Sequence, residues 1–322
     1  MAYPISSSPY SGAAANPAYT GTFIPTLWSG KLIERFYDAT VLAAIANTDY
    51  AGEIKNQGDK VVIRQKPTIA INDYEATQAI TVERPSSNVV ELLIDKGKYF
   101  AAVVDDVMET QADLNMMGMW ADDASEQMKI AIDSGVLRTI GAGVDSSNAG
   151  ATAGAISGNI NLGVTTSPLS LVARAPGAGE TEVIDAILRM GQCLDENNIP
   201  ETGRWAILPS WMATMIKRSE LRDASLTGDG TTMLRNGRLG MIDRFTLYSS
   251  NLLPSGVADS LAAGEVNIFA GHSHGLTFAS QLTKMETLRA ETTFGTIMRG
   301  LQVYGSKVTD GTAIVSAVVE QA

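Results

Sequence analysis

The chain has 322 residues, 45% of them hydrophobic, and a formal net charge of −11. That length allows one elaborate domain or two to three simple ones with a real core, and the acidic balance argues against a general nucleic-acid binder, which carries a basic patch or stripe. No run approaches about 18 consecutive apolar residues and the N-terminus lacks a basic-then-apolar leader, so no membrane span and no secretory signal are expected.

Residues 1–21 are rich in Ser, Ala, Gly, Pro and Tyr and carry no charged side chain. Such a composition buries too little to offset its ordering entropy, and it reads as an arm. Tyr3, Tyr10 and Tyr19 are its candidate contacts with another surface. Residues 23–47 read as a helix with a Pro-containing lead-in, its apolar stripe formed by Trp28, Leu32, Phe36, Val41 and Ile45.

From residue 50 the period changes to two. KVVIR at 60–64 follows the turn signal Gln57-Gly58-Asp59 and reads as a strand, as do 89–95 and 99–104, with a weaker strand at 69–72. Residues 66–88 hold few large apolar side chains and cannot make a core alone. Two strands running out to such a tip form either a long projecting hairpin or part of a covered β-meander. An isolated hairpin is marginal in water, so a projecting one needs a neighbour to hold it. Its charged residues Arg64, Lys66, Asp73, Glu75, Glu83 and Arg84 are candidates for setting register between copies.

The longest helical pattern spans 106–141. It contains no Pro; Asp106 with Glu109 has the form of a capping box, and Gly141 and Gly143 supply a stop. Met117, Ala121, Ala124, Met128, Ala131 and Gly135 recur at spacings of three and four and define its expected packing face. It reads as one long helix or as a short one followed by a long one from about residue 114, and at about 1.5 Å per residue that long piece spans roughly 40 Å. It is either a long core helix or a backbone across a flat protein with other parts at both ends.

Residues 141–176 form a low-charge stretch of loops and short strands. Next, 180–197 reads as a helix containing Cys193, 204–208 as a strand, 209–218 as a helix, and 244–250 and 265–270 as strands: a compact α/β unit. Strand character dominates 276–281, 285–289, 297–305 and 313–319. The C-terminal strands are expected to return to the sheet under the long helix.

Little here points to chemistry. Cys193 is the single cysteine, which excludes an intramolecular disulfide and a cysteine-based zinc site, and it reads as a small buried hydrophobe. His272 and His274 flank Ser273 between two glycines and read as turn residues rather than metal ligands. Asp105-Asp106 sits at a helix start and Asp122-Asp123 diverge on a helix surface. No nucleophile elbow, phosphate loop or zinc-protease motif is present. No catalytic residue, metal or cofactor is expected.

Seven stretches taken together resemble the major capsid (coat) proteins of tailed bacteriophages, with the Hong Kong 97 fold, in a branch like that of short-tailed phages. In order they are IPTLWSGKLIERF, DYAGEIKNQGDKVVIRQ, LLIDKGKYFAAVVDDVMETQAD, LDENNIPETGRWAILPSWM, MLRNGRLGMIDRFTLYSSNLLP, IFAGHSHGLTFASQL and ETTFGTIMRGLQVYGSKV. The resemblance implies an α+β fold with an N-terminal arm and first helix (1–48) and an extended β-hairpin loop (49–97). A peripheral domain with a long spine helix (98–176), an axial domain (177–282) and C-terminal strands returning to the peripheral domain (283–322) complete it.

The implied function is structural: pentamers and hexamers self-assembling into an icosahedral shell around phage double-stranded DNA, enclosed without sequence-specific binding. A scaffolding protein, a portal and a decoration protein are the implied partners. The implied location is the virion, after assembly in the host cytoplasm. An acidic chain suits a container through which a polyanion must slide. Lys66 and Lys96 flank the loop, but no partner Asn is identifiable, so covalent crosslinking is not expected. A protein-cargo shell of the encapsulin type is the alternative with the same fold; an α/β enzyme is a remote one.

Overall fold

The computed structural model describes residues 38, 40–49, 60–64, 67, 69–73, 76, 79–80, 82–86, 89–106, 116–219, 241–291 and 293–322. The arm tyrosines Tyr3, Tyr10 and Tyr19, most of the expected first helix, Lys66, Glu75, Glu109 and the link at 233–240 lie outside them.

The described residues build two main sheets and a small hairpin. After α1 (Leu42–Ile45), the strands β1 (Lys60–Arg64) and β2 (Val89–Leu93) pair antiparallel, Lys60 opposite Leu93 and Arg64 opposite Val89. The pair forms a two-stranded sheet of its own. Residues 69–72, expected as a weak strand, carry no ladder.

β3 (Lys96–Asp105) leads to the long helix α2 (Met116–Ile140). β3 joins β10 (Leu276–Arg289) and β11 (Gly295–Val308) in an antiparallel three-stranded sheet of order β10-β11-β3. α2 lies against β3 and β11.

The second sheet has seven strands in the order β5-β4-β12-β9-β6-β8-β7. These are β4 (Leu169–Val172), β5 (Glu180–Glu182), β6 (Arg204–Leu208), β7 (Met241–Ile242), β8 (Phe245–Ser249), β9 (Val266–His272) and β12 (Ile314–Gln321). Helices α3 (Val183–Glu196) and α4 (Ser210–Arg218) pack on it. In α3, Val183, Ala186, Ile187, Met190, Cys193 and Leu194 are all buried, a 3.6-period stripe. All five residues of β6 are buried, as expected for a strand covered on both faces.

Two expected boundaries are corrected by this topology. The last strand does not return to the sheet under α2: β12 pairs antiparallel with β9 and parallel with β4, so 314–321 belong to the seven-stranded sheet. β4, expected in the peripheral part, lies in the same sheet. The reason is burial on both faces. The first four residues of β12 are all buried, and a central position in a covered sheet accommodates that, whereas an edge of the half-open three-stranded sheet does not.

One continuous core joins the two parts. Ile132, Val136, Leu137 and Ile140 of α2 belong to the same buried cluster as Phe269 of β9 and Val315 of β12. The end of α2 abuts β9 at Gly141, where a Cβ would stand 3.4 Å from Nδ2 of Asn267 and 3.7 Å from the Phe269 ring.

Candidate inter-subunit surface

The hairpin is anchored at its base and bare at its tip. At the base Leu92 is fully buried against Ala279 of β10, with Val61, Ile63 and Ile94 packed around them. The returning strand crosses β11 at Gly305, where a Cβ would lie 2.1 Å from the carbonyl oxygen of Leu93. Only a residue without a side chain permits that backbone approach. Lys60 pairs with Glu91 at 3.1 Å across the ladder. Beneath the base lies a cavity of about 460 Å³ lined by Glu91, Asp95, Lys96, Lys307 and the end of α2, with Lys96 Nζ 3.4 Å from Ser306 Oγ.

Beyond the ladder, the backbone N–H of Ala70 donates to Oε2 of Glu83 at 3.2 Å, tying the two limbs together. The residues this brings together are aliphatic and open: Ile69 and Ile80 are exposed, and Ile71 and Val82 are 92% and 93% exposed. The sequence reading singled out the charges here. Arg64, Asp73, Glu83 and Arg84 are indeed on the surface, but the aliphatics are the less expected feature. Their signal was legible as isolated Ile and Val among polar residues, too sparse to register as a pattern.

The face of the three-stranded sheet turned away from α2 is also open. Its register aligns Leu288, Ile297 and Val103 in one row and Lys284, Leu301 and Tyr99 in another. Between them runs Glu286–Arg299–Ala101, where Arg299 and Lys284 both pair with Glu286. These cations, Lys284 first, pull the Glu286 carboxyl below its usual range. Tyr99 is 79% exposed, and Val103, Leu288 and Leu301 are exposed too; Phe294, at the β10–β11 turn, is 83% exposed. At that turn Asp106 accepts both terminal nitrogens of Arg289, which gives one acid of the Asp105-Asp106 pair a structural task.

The packing face of α2 departs from the expected one. Met117, Ala121, Ala124, Met128 and Gly135 are half-buried, and Ala131 is exposed. The fully buried stripe is Ile132, Val136, Leu137 and Ile140, displaced by one residue and confined to the C-terminal half. Large aliphatics carry most of the buried area, so they set the face, while the small residues flank it. Gly135 has a specific part: its missing Cβ leaves room for the Tyr304 hydroxyl, 3.4 Å from where that atom would be.

Elsewhere the polar groups are structural. His272 Nδ1 accepts from the His274 N–H at 3.1 Å within a tight turn, and burial lowers the His272 pKa. Arg204, buried and missed from the sequence, donates to the Pro200 and Ile199 carbonyls at 2.9 and 2.6 Å and pairs with Asp195 at 2.7 Å. It thereby locks the turn after α3. No group of three or more His, Cys, Asp or Glu with metal-binding geometry occurs among the described residues, and no described helix is long and apolar enough to cross a membrane.

An α+β body with a projecting hairpin, a long helix on a three-stranded sheet and a covered seven-stranded sheet has clear counterparts among solved structures. The structure titled Mycobacterium phage Che8 superposes with a TM-score of 0.71 at 24% identity, covering 91% of this chain and 96% of that one. The capsid of cyanophage P-SCSP1u gives 0.70 at 14% identity, covering 96% and 100%. The capsid of the native GTA particle gives 0.63 at 15% identity, also covering 96% and 100%. These likenesses define the fold, which is Hong Kong 97-like. No curated protein sequence matches the chain. The family model described as phage capsid protein matches residues 88–317, well over half the chain, and the chain belongs to that family. It is accordingly a structural capsid protein of the tailed-phage type, a component of the virion that self-assembles into a shell, and not an enzyme.

Proposed function

We propose that the chain forms pentamers and hexamers that close into an icosahedral shell around double-stranded phage DNA, in the manner of short-tailed phages. The observation that carries this reading is the hairpin: Ile71 and Val82 at its tip are almost fully exposed, and a two-stranded hairpin is marginal in water by itself. A neighbouring copy is the occupant that completes it, and the open sheet face around Tyr99, Leu288 and Phe294 offers a matching apolar surface. Arg64, Lys66, Asp73, Glu75, Glu83 and Arg84 then set register, and Tyr3, Tyr10 and Tyr19 add contacts from the arm. Many such contacts, each modest, sum through effective concentration once the first forms.

The half-buried N-terminal half of the spine, including Met117, Ala121 and Ala124, serves in this reading as a further packing surface. Residues 1–48 act as arm and first helix, 49–97 as extended loop, and the seven-stranded sheet as the core of the axial domain. Assembly takes place in the host cytoplasm on a scaffolding protein, with a portal at one vertex and a decoration protein as an optional partner.

Negative-stain microscopy of the expressed chain, alone and with its scaffold, tests this. Closed shells built of five- and six-subunit units are expected. Only small monomers under every condition would overturn it. The contents of purified shells, nucleic acid or a protein cargo, separate a phage shell from an encapsulin-like one.

A further inference from the structure

One buried charge has no part in the surfaces above. Asp133 on α2 is 1% exposed, and it lies within the apolar cluster formed by Ile132, Val136 and Leu137 with Val41, Leu42 and Ile45 of the N-terminal segment. Its Oδ2 accepts the Val41 N–H at 2.7 Å, and the neighbouring Leu42 N–H also favours the carboxylate. Oδ1 has no partner, and Asp133 forms no ion pair with any described residue. Burial pushes its carboxyl above the usual range, and the two N–H groups only partly oppose that.

The segment it holds is anchored by Val41, Leu42 and Ile45, which are buried in the core, and by few backbone contacts. α1 is four residues long, too short to stand unaided. Downstream, the Asn47 N–H donates to the Leu276 carbonyl at 2.8 Å and the Asn47 carbonyl accepts from Phe278 at 3.0 Å. Residues 41–47 are thus held by three buried aliphatics and by polar contacts at two points, one of them a half-satisfied carboxylate. Such a group is costly when buried, and the cost is relieved as soon as water reaches it.

We propose that Asp133 makes residues 41–47 a clasp that opens locally, detaching from α2 while the seven-stranded sheet stays folded. Opening hydrates the carboxylate, so the charge that fastens the clasp also lowers the free energy of releasing it. The consequence is a point at which the N-terminal residues change path without unfolding the body. The use of that freedom during assembly rests on the shell reading; the clasp itself does not.

Native-state hydrogen exchange on the full chain tests it whether or not shells form. The amides of Val41, Leu42 and Asn47 should exchange at least about tenfold faster than those of Ile268 and Ala317 in the sheet core. Asp133→Asn removes the charge and keeps a carbonyl oxygen for the Val41 N–H. It should slow exchange at the three amides by about tenfold and leave the sheet amides unchanged. Unchanged or faster exchange in the variant overturns the proposal. If the variant does not fold, equal protection of the two regions in the unaltered chain overturns it as well.

Discussion

At the scale of single residues, Glu196 ties a loop to α3. Its Oε2 accepts the N–H groups of Ile156 and Ser157 at 2.8 and 3.0 Å. These donors, Ser157 first, favour the carboxylate and pull its pKa from 4.5 down to about 2. Because the folded value is the lower one, the contribution is fully present above the unfolded pKa of 4.5 and is lost as the pH falls through about 2. Glu196→Gln should therefore flatten the stability profile within that window, as read from urea midpoints over a pH series; an unaltered acid limb would show that the tie carries no stability. Cys193 is the opposite case, fully buried with its thiol pushed up to about 12 by burial and then by Glu196. A thiol reagent at mildly alkaline pH should leave the folded chain unmodified and react fully once denaturant is added. Helical spacing already marked the thiol as buried. It held no sign of the Glu196 tie, whose partners lie some 40 positions away.

At the scale of elements, α2 was legible as a helix and misplaced by one residue as a face. Its apolar and small residues are spread around the axis, and periodicity alone does not rank a Gly or Ala against an Ile one position on. Leu137→Ala should cost about 2–5 kcal/mol in a denaturant titration, whereas Ala131→Ser, on the exposed side, should stay within about 0.5 kcal/mol. The hairpin base offers a sharper case. A Cβ at Gly305 meets backbone, the Leu93 carbonyl oxygen, rather than a movable side chain. Gly305→Ala should cost about 1–3 kcal/mol and loosen the β2 amides in hydrogen exchange while sparing β9. An unaltered β2 would mean that the strand accommodates the methyl by a rigid shift.

At the scale of the whole molecule, two apolar surfaces stand open among the described residues. Replacing Ile71 and Val82 together by Asp touches nothing in the isolated chain, since both are over nine-tenths exposed. Its melting temperature should be unchanged and shell formation lost. Normal shells from that variant would remove the hairpin tip from the interface. The expected order of parts (projecting hairpin, long helix, compact α/β unit, late strands) was readable along the chain because each has its own local signal: a change of period, a run without Pro, a turn cluster. The pairing of the parts was not.

Local residue patterns marked most of the described strands and helices, though not the failed strand at 69–72, and seven ordered stretches pointed to the family. Long-range pairing is what sets β12 between β4 and β9 rather than beside β11. Tertiary packing alone placed Ala131 outward and Ile132 inward, and buried Asp133 and Arg204. The physical reason is the same in each case. Periodicity records how many faces of an element are covered, but the identity of the covering partner is a long-range property, fixed when strands distant in sequence compete for the same edge and the larger buried area prevails.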